Sequence, residues 1–170
     1  MARASLLVRH AIAVLALPFM VVVVVPTWIA RRWATDPTWP SSPSGWLVLG
    51  LGVVPLLSGA GLFAACLGRF FRQGDGTLAP WDPPARLVVE GPYAYVRHPM
   101  ISGVVLLLVA EAMLLRSGAH AVWALTFAGA NAVYLPLLEE PGLRRRFGAA
   151  YDEYASHVPR LLPRVTPWKK

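Results

Sequence analysis

The stretch GPYAYVRHPMISG, Gly91 to Gly103, decides how this chain is read. Arg97 and His98 stand immediately before a hydrophobic span that opens at Pro99. A second hydrophobic span follows and closes on Glu139 and Glu140, about 40 residues after the first pair. The two polar clusters are therefore expected at the same membrane face, one on each side of a helical hairpin. Apolar helices cross a bilayer without such groups, and charge next to hydrocarbon is costly, so the pairing reads as a built site.

Composition fits this setting. The 170 residues are 56% hydrophobic with a mean hydropathy of +0.51. That is too apolar for an ordinary soluble domain, and the length suits one domain. The net charge is +7, with 14 Arg and only 2 Lys. These bases flank apolar runs, the pattern of a membrane protein rather than of a nucleic-acid binder. The excess of Arg over Lys, with abundant Ala, fits a GC-rich bacterial source and hence a bacterial cytoplasmic membrane. The single cysteine, Cys66, lies inside a hydrophobic run and reads as a small buried residue.

Length and lack of charge define four spans: Ala11 to Ala30, Gly45 to Gly68, Pro99 to Leu115 and Ser117 to Leu138. A run of ~20 apolar residues crosses a bilayer. The third span is short, and Tyr93 to Val96 are expected to extend it. The first is longer than the apolar core of a signal peptide and has no clear cleavage site before Arg31, so it reads as a retained helix. Spans three and four are joined so tightly that they must form an antiparallel hairpin. The chain is thus all-α and polytopic, with residues 1–68 as an N-terminal helix pair. Residues 69–170 hold a loop, the hairpin and a tail in one integrated membrane domain. Pro37 to Ser44 and Gln73 to Pro84 read as loops from their Pro, Ser and Gly content.

Four spans put the N-terminus, the 69–98 loop and the tail on one side. That side carries 13 of the 16 Lys and Arg, which places it, and both termini, in the cytoplasm. In the tail, Leu143, Phe147, Tyr151, Tyr154 and Val158 recur at helical spacing and predict one amphipathic helix, with Pro141 in its first turn. It is expected on the cytoplasmic face or packed over the site.

Individual polar residues carry different weight. Arg97 and His98 fit a positively charged flank as well as a site. Glu139 and Glu140 oppose the dipole of the helix they end, so a cation or a donor-rich ligand should offset them. Glu111 is an intramembrane carboxylate, serving either a substrate cavity or a structural hydrogen bond. Asn131 suits hydrogen bonding between helices. His120, at the outer end, reads as interfacial. The tail aromatics read as packing.

GPYAYVRHPMISG, followed by LLEEPGLRRRFGAAYDEYASHVPR, resembles the isoprenylcysteine carboxyl methyltransferase family and its phospholipid-methyltransferase relatives. The pattern is approximately G-x-Y-x-x-x-R-H-P-x-Y-x-G, then E-E, then F-G-x-x-Y-x-x-Y-x-x-x-V-P. The likeness runs from about Pro84 to Pro163, and the first half matches only in having two hydrophobic spans. It implies an integral membrane methyltransferase that uses S-adenosylmethionine, bound at the cytoplasmic ends of the last spans beneath a C-terminal helix. Carried over by residue, the cofactor contacts would be Leu87, Val88, Tyr93, His98, Pro99, Met100, Ile101 and Glu139. Arg97, His98 and Glu140 would serve catalysis. Glu111, Asn131 and Leu135 would line the substrate.

Two departures stand out. Ile101 replaces the tyrosine of the histidine-proline motif. Leu135 stands where eukaryotic isoprenylcysteine enzymes carry an arginine for the substrate carboxylate. A neutral or amine-bearing lipophilic acceptor, entering from the bilayer, is therefore expected over a prenylcysteine acid. A protonated amine would need a base, for which Glu140, His98 and Glu111 are the nearby residues. No metal site is expected. The competing readings are a small four-helix transporter of lipophilic cations using Glu111, and a membrane reductase on a related scaffold.

Overall fold

The computed structural model describes residues 15–33, 40–73 and 86–169, the side chains of 15–16 and 70–73 excepted. Helix α1 joins a π-helical stretch, Leu15–Val24, to the α-helical Val25–Arg32. Helix α2 is Pro43–Gln73. A 3-10 turn, Gly91–Ala94, leads to α3, Pro99–Leu114. Helix α4 runs from Gly118–Tyr134 through a π-helical turn, Leu135–Glu139, into Glu140–Phe147. Helix α5 is Ala149–His157. Among the described residues there is no strand.

The helical expectation holds for each span, with shifted ends. The first helix is described from Leu15 and continues to Arg32; residues 11–14 of the expected span lie outside the described residues. The second is longer than expected at both ends, so Pro43 and Ser44 of the expected outer loop are already helical. The rest of that loop as far as 39, and residues 74–84 of the other, lie outside the described residues. Tyr93 to Val96 do not extend the third helix: they form the end of the 3-10 turn and a short irregular link. Two helices, Pro43–Arg69 and Gly118–Phe147, are long and apolar enough to cross a membrane, while Pro99–Leu114 is apolar but shorter. Their outward faces suit lipid. Leu57, Leu125 and Leu137 are 68%, 72% and 66% exposed, a surface that water would penalise at about 25 cal/mol per Å².

Helices α2 and α3 run antiparallel with their backbones in near contact. A Cβ added at Gly59 would lie 2.8 Å from the Gly103 carbonyl oxygen, and one at Gly103 would lie 3.2 Å from that of Gly59. Without a hydrophobic force between helices in lipid, such small-residue contacts supply the packing. The central core joins four helices: Val104 and Leu108 of α3 and Ala124 of α4 are buried, with Val21, Val22, Phe63, Trp123 and Phe127 packed round them.

Helix α1 is pinned to α4 at backbone positions that its own sequence leaves open. Pro26 has no N–H to donate, and in π register its acceptor would be the carbonyl of Val21, five residues back. The indole Nε1 of Trp123 donates to that carbonyl instead, at 3.1 Å. One turn away, His120 Nε2 lies 3.2 Å from the Pro26 carbonyl oxygen. His120 is buried, not interfacial as its place in the sequence suggested. Its ring closes α1 onto α4 rather than anchoring in headgroups.

These contacts sort the arginines to two ends. Pro26 meets His120, and Gly45 lies near Arg116, so Arg31, Arg32 and Arg116 share one end. Arg69, Arg97, Arg144 to Arg146, Arg160 and Arg164 share the other. The glycine contact gives a graded prediction. Gly59→Ala should lower stability in detergent by about 1–3 kcal/mol. Gly103→Ala should cost less, because its nearest neighbours are 3.2 to 3.3 Å away. Gly61→Ala, with nothing within 4 Å, should be neutral or stabilising. Thermal unfolding of the three variants checks the order.

Candidate active site

Glu140 is the centre of the polar cluster. Its side chain is 12% exposed in the last third of a 30-residue helix, so it needs cations close by. Arg160 supplies a bidentate pair, with Nε to Oε1 at 2.6 Å and Nη2 to Oε2 at 2.8 Å. Arg97 Nη1 lies 3.2 Å from Oε1. His98 sits between the two carboxylates: Nδ1 is 3.3 Å from Glu139 Oε1 and Nε2 is 3.4 Å from Glu140 Oε1.

The π turn sets this geometry. Pro136 cannot donate a helical hydrogen bond, and the helix widens there, with the Glu140 N–H donating to the Leu135 carbonyl five residues back. The extra residue in the turn changes the phase at which Glu139 and Glu140 leave the helix, so that both reach one imidazole. On the other side, Pro99 opens α3 at its first turn and fixes where Arg97 and His98 stand.

The tail closes over the cluster by backbone pairing. Arg97 N–H donates to the Pro159 carbonyl at 2.9 Å, Arg164 N–H to that of Tyr95 at 3.0 Å and Trp168 N–H to that of Ala94 at 2.9 Å. Tyr151, Tyr154 and Val158 are buried, with Leu87, Val89, Leu143, Phe147 and Trp168 against them. All five stripe residues meet here, but not on one continuous helix: Gly148, at φ +54°, breaks it and starts α5. Pro141 stands early in the α-helical register after the π turn, with no interruption of α4. The Tyr154 hydroxyl donates to the Tyr93 carbonyl at 2.7 Å. Burial raises the hydroxyl pKa values of Tyr93, Tyr151 and Tyr154 above the ordinary phenol range, so all three remain donors at neutral pH. At Tyr151 burial outweighs the opposing pull of the Arg97 guanidinium.

Arg97, His98, Glu139 and Glu140 are thus in one cluster, with Tyr93 linked through Tyr154. Pro99 is fully buried, and Met100 and Ile101 are half-buried in the first turn of α3. Val88 is buried, and Leu87 packs on the tail tyrosines. Of the expected substrate positions, Glu111 and Asn131 lie along their helices from the cluster, and Leu135 is one turn before Glu139. Glu111 is 12 residues along α3 from Pro99, about 18 Å by helical rise. Asn131 donates to the Phe127 carbonyl of its own helix at 2.9 Å rather than across helices. Leu135 has no exposed surface. Arg160 was not singled out in the sequence. Its only signal there is its place just after the Val158–Pro159 end of the tail motif, whereas the conspicuous Arg144 pairs with Asp152 on the surface.

The phospholipid methyltransferase family model matches residues 46–150, more than half of the sequence. The chain belongs to the phospholipid methyltransferase family. The match takes in α2, where the sequence offered only an apolar span, and it contains Arg97, His98, Glu139 and Glu140. It stops before Tyr151 and Arg160, so the tail's share of the cluster rests on geometry. None of the curated proteins matches the chain. Family membership and two bilayer-length apolar helices make this a membrane protein of methyltransferase type.

The cluster predicts unequal roles for Glu140 and Arg160. Glu140→Ala should destabilise the protein by about 3 kcal/mol, because it strands the Arg97 charge in a poorly solvated place. Arg160→Ala removes a partner that is 38% exposed and should cost no more than about 1 kcal/mol. Unfolding midpoints in one detergent compare the two.

Proposed function

We propose that this protein transfers a methyl group from S-adenosylmethionine to a lipophilic acceptor at the cytoplasmic membrane face. The observation that carries the reading is the convergence of Arg97 and His98 with Glu139 and Glu140 at the ends of two apolar helices, within the family match. The residues fit the cofactor. Glu139 keeps a third of its side chain exposed and can accept from an ammonium or from ribose hydroxyls. Arg97 holds a buried Nε without a hydrogen-bond partner, a donor suited to a carboxylate.

Bound there, S-adenosylmethionine would supply an electrophilic methyl on a sulfonium, to be displaced in line by the acceptor. The chain's own work is alignment and exclusion of water. The tail supports both, since its backbone bonds tie Pro159 to Trp168 across the loop before α3. Of the three bases expected for an amine acceptor, Glu111 is remote and Glu140 is engaged by two guanidiniums. His98 is the group left to take a proton, with Glu139 leading it toward solvent. The acceptor we infer is neutral or amine-bearing, since Leu135 offers no charge to a carboxylate.

In this reading α1 to α4 all span the bilayer, the Arg-rich end faces the cytoplasm, and both termini lie on that side. Reporter fusions at Lys170 and at Ser42 should then report opposite sides. The same side for both would remove the four-span topology.

For the activity, the wild-type protein in detergent should bind S-adenosylhomocysteine by calorimetric titration. Glu139→Ala should weaken that binding by ~1.5–3 kcal/mol. Labelled methyl should pass to lipophilic amines or neutral acceptors in preference to a prenylcysteine acid. A folded, monodisperse preparation with no affinity for the cofactor product would end the methyltransferase reading.

A further inference from the structure

Two tyrosines of the tail stripe have the same packing and different hydrogen bonding. Tyr154 donates to the Tyr93 carbonyl. Tyr151, three residues earlier and 1% exposed, has a buried hydroxyl with no partner. Packing does not explain that oxygen, because a phenylalanine would fill the same space without the cost, about 1–3 kcal/mol, of an unpaired buried donor. The Tyr151 hydroxyl interacts with the Arg97 guanidinium, whose Nε is also buried and unpartnered. A tyrosine oxygen can accept as well as donate, but neither the hydroxyl nor Nε makes a hydrogen bond here, so both hydrogens lack an acceptor. The acceptors around them do not fill the gap. Glu140 is taken up by Arg160, Arg97 Nη1 and His98, and Glu139 faces His98.

We propose that Tyr151 and Arg97 Nε form an oxyanion subsite beneath the tail, where an incoming carboxylate or phosphate oxygen accepts from both. The subsite rests in part on the methyltransferase reading, since the cofactor's amino-acid carboxylate is one source of such an oxygen. The other source is a phosphate in the headgroup of an amine-bearing acceptor, an anion beside the amine. The nearby charges do not oppose either: Arg97 and Arg160 balance Glu139 and Glu140, with His98 between them, so an added anion meets no excess of negative charge. Arg160, on the tail, is the most exposed member of the cluster.

The test is titration of wild type, Tyr151→Phe and Arg97→Lys with three probes in neutral detergent. The probes are S-adenosylhomocysteine, its decarboxylated analogue and lysophosphatidic acid. Tyr151→Phe removes only the hydroxyl, and Arg97→Lys keeps the charge while deleting Nε; thermal unfolding of each confirms that it is folded. If the cofactor supplies the oxyanion, both variants should lose S-adenosylhomocysteine affinity by about 10- to 100-fold and leave the analogue unchanged. If the acceptor supplies it, the loss should fall on lysophosphatidic acid alone. Equal losses for acid and decarboxylated probes would mark a packing role and overturn the subsite, as would no loss for any probe. Wild type that binds lysophosphatidic acid but not S-adenosylhomocysteine would sink the methyltransferase reading alone, and the variants would still decide the subsite. Wild type that binds neither would overturn both.

Discussion

A carboxylate at the point where an apolar run ends must be answered by positive charge, and Glu140 draws its partners from two parts of the chain. Arg97 and His98 come from the link before α3, and Arg160 comes from the tail. None of these segments is held there by apolar packing alone. The tail pairs its backbone with residues 94–97, and the stripe from Leu143 to Val158 seals it against Leu87 and Val89. The electrostatic demand of one side chain and the burial of five apolar or aromatic ones therefore point the same way, which is what makes a single arrangement favourable.

Proline shapes two of the decisive places. At Pro26 the missing donor leaves a carbonyl that Trp123 fills from another helix. At Pro136 the helix widens instead, and the next acidic pair turns toward His98. In both cases a residue that weakens a helix in isolation specifies how that helix meets its neighbours. In lipid this matters more than in water, because apolar contact between helices brings little free energy by itself.

The helices and the core of the cluster were legible in the sequence because their signals are local. Runs of apolar residues give α2 with ends off by a few positions and α4 up to Leu138, though that helix continues to Phe147, and the Arg97–His98 and Glu139–Glu140 pairs stand out against hydrocarbon. The stripe Leu143, Phe147, Tyr151, Tyr154, Val158 correctly foretold a shared buried face. It did not show the break at Gly148, since a left-handed glycine barely disturbs the spacing on either side. His120 and Arg160 were misjudged or passed over for a different reason. Their roles come from partners 94 and 20 residues away in sequence, and nothing local marks them. Asn131 and Glu111 show the converse: polar residues in apolar runs attract attention, yet one serves its own helix and the other lies far from the cluster.

The late position of Arg160 bears on how the protein is made. Contacts such as Gly59 against Gly103, or Trp123 against Val21, involve residues that leave the ribosome well before the tail does. Chains fold from the N-terminal side during synthesis, so the helical scaffold can assemble in the bilayer while Glu140 still lacks its bidentate partner. Only once residues 159–168 have emerged can the loop before α3 find its backbone partners. The nascent protein thus passes through a stage in which its helices are packed but Glu140 is not yet fully paired.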